Sequence, residues 1–513
     1  MFKVILKSNT LIALAFCSSS IASAGNGGQQ TLQVDGPLAK IQALNHAGPQ
    51  LNAVIAISPD WQKIDATLKA EREAGKVRSP IHGATILIKD NIETADEIAT
   101  TAGSLALAAN VTHRDAPLVA RLRAAGALIL GKTNLSEWAN IRSSHSMSGW
   151  SAVGGLVRNP YALERTACGS SSGSGAAVAA YLSWAAIGTE TDGSIVCPSA
   201  MNGIVGLKPT VGLVSRTHIV PISHSQDTPG PMARTVHDTA LLLTVIAGSD
   251  PHDSATIEAD AHKVDYAKAL TGNIKGLRIG VLRDAIGTQP GTQSLFASAL
   301  KTLREAGAVL VDIAATNAPN DLGDNENIVL MTELKADLNA YLVTTPNAVK
   351  ARTLEDIIAF NVAHADQELA LFGQELFITA QATKGLSDPA YLKALSASRD
   401  GARATIMRLL NDNHVALLIA PTNGPAWLSD PIQGDQDGGP SVSQLPAVAG
   451  FPHLTVPMGQ VKGLPVGLSF IGPAWSEAVL LNVGDCYEHA RGTLPPPTFL
   501  SSDGAKLDRG ALN

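Results

Sequence analysis

Cys168 to Pro198 reads CGSSSGSGAAVAAYLSWAAIGTETDGSIVCP, and no other stretch constrains the chain as strongly. Two Gly/Ser-rich turns, Gly169–Gly175 and Gly188–Ser194, flank an Ala-rich run, Ala176–Ala186. Small residues let backbone approach a ligand and reach dihedrals that other residues avoid. The Ala run predicts a buried helix that holds the two turns relative to each other. A hydrolase needs a hydroxyl nucleophile, a proton acceptor and backbone N–H groups aimed at an oxyanion. This stretch supplies hydroxyls and N–H groups together, although Gly/Ser clusters also serve as plain linkers.

The chain has 513 residues, 45% hydrophobic and 16% charged, enough for a large core and unlike a disordered chain. Length alone suggests two to four domains. The net charge of −7 gives no reason to expect a nucleic-acid partner. Met1–Ala24 reads as a secretory leader: Lys3 and Lys7 precede apolar Leu11–Phe16, and Ala22-Ser23-Ala24 fits a cleavage site. The expectation is an exported protein, periplasmic or secreted, with residues 25–513 as the mature domain. The apolar stretch is too short for a good membrane span, so stable membrane insertion is not expected. Cys168, Cys197 and Cys486 remain after cleavage, an odd number that implies no disulfide framework. Whether Cys168 pairs with Cys197 stays open, as does the oligomeric state.

Ser58-Pro59-Asp60 predicts a helix start, with a stop at Gly75. Ala84–Ile88 reads as a buried strand with Lys89 at its end. The pattern Leu-Arg-x-Ala-Gly-Ala occurs at Leu122–Ala127 and again at Leu303–Ala308, each time as helix, glycine, strand. Two such units favour an α/β layered architecture. Thr235–Ala247 reads as a helix closed by Gly248, and residues 320–412 as mostly helical with breaks near Gly385 and Asp400-Gly401. That helical stretch is the natural place for a substrate-shaping insertion.

Gly126–Thr133 satisfies the P-loop expression, but its inner positions Ala127–Leu130 form an apolar strand whose N–H groups belong to a sheet. Asp435–Gly438 lacks the later ligands of a calcium loop, and no zinc pattern is present. Gly169–Gly173 satisfies the nucleophile-elbow expression, which would make Ser171 the nucleophile, but no clear strand runs into it.

Longer motifs decide among these readings. HGATILIKDNIET, TTAGSLAL, GKTNLSEWAN, CGSSSGSGAAVAA, GTETDGSIVCP and NGIVGLKPTVGLVSR follow in order. ISHSQDTPGPMARTV, FGQELF, APTNGPAW and FPHLTVPMGQVKGLPVGLSFIG complete the set. With them the chain resembles the amidase signature family over nearly its whole mature length, most closely the peptide amidase branch. The resemblance implies a single α/β domain, a large mixed β-sheet covered by α-helices on both faces. That replaces the multi-domain expectation from length. It also implies a triad of Lys89, Ser170 and Ser194, a cis Gly169–Ser170 bond, and an oxyanion hole at Thr191, Asp192 and Gly193. No metal or organic cofactor is implied. Asp192-Gly193-Ser194 and Val196 depart from the Gly-Gly-Ser and Arg common in the broader family, which weakens a tRNA-dependent amidotransferase reading. The expected activity is hydrolysis of a carboxamide to acid and ammonia. The expected substrate is a peptide C-terminal amide, with small aryl or alkyl amides as the alternative. A binding protein with a retired site is the reading from another class, opposed by retention of all three triad residues.

Overall fold

The computed structural model describes residues 36–436, 439 and 441–501. The leader expectation lies outside these residues, as do Asp437 and Gly438. Gly36 onward forms one compact unit, not the several that length suggests. Eleven strands build its central sheet. In chain order they are β1 Val54–Ile57, β2 Thr85–Lys89, β3 Leu128–Thr133, β4 Ala185–Glu190, β5 Val205–Lys208 and β6 Thr228–Ala233. Then follow β7 Arg278–Leu282, β8 Val309–Ile313, β9 Leu417–Pro421, β10 His453–Val461 and β11 Leu464–Ile471. The spatial order is β1-β3-β2-β4-β6-β5-β10-β11-β9-β7-β8. β2 runs parallel to both β3 and β4, whereas β4 and β6 are antiparallel, so the sheet is mixed.

Both faces are covered, as the apolar runs require. Along β2, Ile86 and Ile88 join one core and Leu87 the other, the two-residue alternation of a strand. The first core takes Leu118, Leu122, Leu243, Phe296, Leu300 and Leu480 from helices Pro117–Ala124, Val236–Ile246, Pro290–Glu305 and Glu477–Arg491. The opposite face carries helix Ser172–Ala179 against Leu87 and Ala186, and helix Pro389–Asp412 against Leu418 and Ile471. Both helix–glycine–strand units form, with Gly126 at φ 86° and Gly307 at φ 97°.

Local boundaries differ from expectation in three places. The Ala run divides: helix Ser172–Ala179 starts earlier and ends sooner, and Ala185–Ala186 open β4. Pairing of β4 with β2 and β6 outweighs alanine's helix preference there. The helix after Ser58 starts at Trp61, and Ser58 instead donates to Asp96. Asp400-Gly401 does not break helix Pro389–Asp412, whose packed face tolerates a glycine. Among the described residues no helix is long and apolar enough to cross a membrane.

Every residue of helix Ser172–Ala179 is buried, so its small side chains set how close it sits to the sheet. Ala177→Leu is expected to destabilise the protein by about 1–3 kcal/mol through overpacking. Ala70→Leu, on an exposed helix face, should stay within about 0.5 kcal/mol of the parent. Chemical denaturation of the two variants beside the parent checks this.

Candidate active site

Lys89 ends β2, two residues after Leu87, so its side chain leaves the sheet on the face that carries helix Ser172–Ala179. It is fully buried. Its Nζ lies 2.7 Å from Ser170 Oγ, 2.8 Å from Thr189 Oγ1 and 3.3 Å from the Thr189 carbonyl oxygen. Asn91 donates to the same Thr189 hydroxyl at 2.9 Å. Among the described residues no carboxylate comes within ion-pair distance of Lys89. Burial pulls its pKa down to about 7, against the more distant charges of Asp227 and Glu190.

The Gly169–Ser170 peptide is cis, as expected. A Cβ at Gly169 would collide with Ser136 Oγ, so a larger residue there would force that side chain to move. Ser170 is 0% exposed and Ser194 8%, so both are buried. Ser171 is fully buried, and its hydroxyl both donates to the Thr189 carbonyl and accepts from the Thr189 N–H. Its own N–H donates to the Ser194 carbonyl at 3.1 Å. The strand before it, Ala162–Thr166, belongs to a separate two-stranded sheet, so no nucleophile elbow forms. A Cys168–Cys197 disulfide, left open by the sequence, joins the residue before Gly169 to the helix after Ser194.

The turn Thr191–Ser194 is held at both ends. Before it, Glu190 accepts from the N–H groups of Ile195 (2.7 Å) and Val196 (3.0 Å), folding the chain back on itself. Gly193, at φ 76°, makes that reversal possible. Burial raises the Glu190 pKa, opposed mainly by Lys208. Asp227 accepts from Thr191 Oγ1 at 2.6 Å, and Gln226 donates to the Thr191 carbonyl at 3.3 Å. The Asp192 carboxyl is pushed well up by burial and by the charge of Glu326.

Lys89 and Ser170 thus meet beside Thr189, and the Ser171 N–H ties this segment to the Ser194 carbonyl at the end of the turn. Sequence reasoning missed Asn91, Thr189, Glu190, Gln226 and Asp227. The SQDTPGP segment holding the last two is legible as a motif, but nothing in it says what it touches. Phe372–Glu375 supports a neighbouring loop. Glu375 accepts from Ser143 and Ser144, and Phe372 packs edge-on against Trp150 beneath Arg142.

A cavity of about 430 Å³ opens beside this cluster. Asn91, Thr189, Thr191 and Asp227 form its inner wall, and Arg216, His218, Asp337 and Ala340 part of the outer. Among the described residues, His224, Glu333 and Asp337 are grouped closely enough to hold a metal. His224 Nδ1 lies 2.9 Å from Asp337 and Nε2 3.3 Å from Glu333. Its pKa is raised, chiefly by the bond to Asp337. The carboxylates at the two ring nitrogens favour the protonated ring.

The Amidase family model matches residues 38–481. A probable amidase of Arabidopsis thaliana is 39% identical over 477 residues, covering 90% of this chain and 87% of its own length. A glutamyl-tRNA(Gln) amidotransferase subunit of Roseiflexus is 37% identical, covering 88% and 91%. The crystal structure of native peptide amidase from Stenotrophomonas maltophilia is 50% identical, with a TM-score of 0.85 over 90% of this chain and 94% of that one. Family match, shared sequence and shared fold together show that the chain belongs to the amidase family and is an amide-hydrolysing enzyme.

Proposed function

We propose that this enzyme removes the C-terminal carboxamide of peptides through an acyl-enzyme on Ser194. The observation that carries the chemistry is Lys89: buried, bonded to Ser170, and without a carboxylate partner among the described residues. A neutral amine has two N–H groups and one lone pair. Thr189 takes the two N–H groups through its hydroxyl and its carbonyl oxygen, which leaves the lone pair for the Ser170 hydroxyl proton. Ser194 then attacks the amide carbon as its proton passes to Ser170 and the Ser170 proton to Lys89. N–H groups of Thr191, Asp192, Gly193 and Ser194 stabilise the oxyanion. Collapse returns a proton through Ser170 to the departing nitrogen, and ammonia leaves. Water repeats the steps on the ester and frees the acid.

Two observations support the peptide substrate. The Stenotrophomonas peptide amidase, at 50% identity, shares more sequence with this chain than the Arabidopsis and Roseiflexus relatives do. A peptide amidase of 51% identity also has a structure with the competitive inhibitor chymostatin. A terminal amide has a small leaving group, so a cleft closed beyond the scissile carbonyl admits it and rejects a continuing chain by clash. The Cys168–Cys197 disulfide supports an exported, periplasmic or secreted enzyme, because disulfides persist in oxidising compartments.

One peptide offered as amide and as free acid tests the substrate. Mass spectrometry should show loss of the terminal amide alone. Internal cleavage at a comparable rate, or turnover of small amides without peptide amides, overturns the assignment. Ser194→Ala should abolish both turnover and labelling by a fluorophosphonate. Ser171→Ala should still be labelled but be less stable by about 1–3 kcal/mol, since it strips a buried partner from the Thr189 backbone. The pH profile should rise through about 7, because Lys89 accepts a proton only when neutral and its pKa is about 7. A profile flat from about pH 6 to about pH 8 would contradict Lys89 as the base.

A further inference from the structure

Asp227 is far from Ser194 in sequence and absent from the proton relay, yet its carboxylate is fully engaged at the turn before Ser194. One oxygen accepts from Thr191 Oγ1 at 2.6 Å. The other accepts from the N–H groups of Ile222 and Ser223 at 2.8 and 2.9 Å. Three donors on two oxygens leave the carboxylate one orientation. The preceding residue, Gln226, donates to the Thr191 carbonyl, and the same amide nitrogen donates to Glu326 at 2.8 Å. Thr191 is therefore gripped by its hydroxyl and by its carbonyl. A peptide unit is planar, so holding the Thr191 carbonyl also sets the direction of the Asp192 N–H on the far side of that plane.

Burial raises the Asp227 carboxyl itself to about 6. Lys89 bonds only to neutral acceptors, and the charges that favour its protonated form are Asp227 first and Glu190 second. Arg216, His218, His224, His252, Asp253 and Asp337 line the cavity with Asp227. Arg216 is paired with Asp253, and His224 with Asp337.

We propose that Asp227 is a positioning residue for amide hydrolysis, fixing Thr191 so that the oxyanion turn is preformed. The inference rests on the triad reading above. Thr191→Val removes the hydroxyl contact and leaves the carboxylate in place.

The readout is the rate at which a fluorophosphonate inactivates the full-length enzyme from about pH 5 to about pH 9. In that reaction the Ser194 oxygen forms a bond to phosphorus, fluoride leaves and the serine proton passes to the relay. No peptide specificity is required. Thr191→Val should leave the acidic limb in place and lower the plateau about tenfold, and Thr191→Ser, which keeps the hydroxyl, should restore it. Asp227→Ala, which removes every contact of the carboxylate, should lower the plateau at least as far. A merely structural contact would lower stability and leave the plateau of the folded variants parental. A parental plateau in Thr191→Val overturns the proposal, and should Asp227→Ala not fold, Thr191→Val decides. A parent enzyme that the probe does not label overturns the triad reading itself, before any substitution is made.

Discussion

A lysine with no charge to answer it is the constraint on which this site depends. Burying an ammonium without a partner is costly enough that the group gives up its proton instead. Three lysines at sheet strands are fully buried here, Lys89, Lys132 and Lys208. Lys132 keeps a partner: Asp90 at 3.4 Å, with the Ile92 carbonyl and the Thr100 hydroxyl completing its bonds. Lys208 bonds the Pro209 carbonyl, and burial lowers it to about 8 against the charges of Glu190, Glu477 and Asp192. Lys89 faces two hydroxyls and a carbonyl. Its neighbours leave it without an ion pair and give Lys132 one, although both sit on adjacent strands of one sheet.

The helical segment between β8 and β9 is bound to this site through acids. Glu368 accepts from Ser104 Oγ and the Leu105 N–H. Tyr341 donates to Glu93, and Asn110 donates to Tyr341. Glu333 accepts from Ser223, Ser225 and Tyr391. Helix Leu322–Leu342 then presents Asp337 and Ala340 to the cavity beside Thr189 and Thr191. Its packing and its cavity wall come from one helix, so substitutions on its buried face reach the cavity as well. The substrate-shaping role expected of this segment gains a physical route.

The alternation along β2 and the two helix–glycine–strand units are readable in the sequence because each depends on residues close together in the chain. Lys89, Ser170 and Ser194 are readable because motif spacing carries them. Thr189 is not, since a threonine near a strand end has the same local signature whether or not it faces a lysine. Asp227 is not, because its partner Thr191 lies across an antiparallel strand pair, β4 and β6. The Ala run divides for a related reason. Alanine suits a buried helix and a buried strand equally when the neighbours are close, and only the partners of Ala185 and Ala186 decide. The disulfide is undecidable from sequence because Cys168 and Cys197 meet only after the turns between them fold, at a Cα separation of 5.9 Å.

Ser171 shows how the site reaches the precision its chemistry needs. Misplacement by about 1 Å can cost about a hundredfold in rate, so two short segments bearing reactive serines need ties that do not themselves react. Segment 168–172 and segment 189–197 have three: the disulfide, the Ser171 N–H on the Ser194 carbonyl, and the reciprocal bonds between Ser171 Oγ and the Thr189 backbone. The last tie acts twice. Thr189 is also the acceptor that positions Lys89. One buried serine therefore holds Thr189, the acceptor of Lys89, through its hydroxyl and the Ser194 carbonyl through its backbone N–H. The serine that satisfies a nucleophile expression is placed as a brace between those two segments.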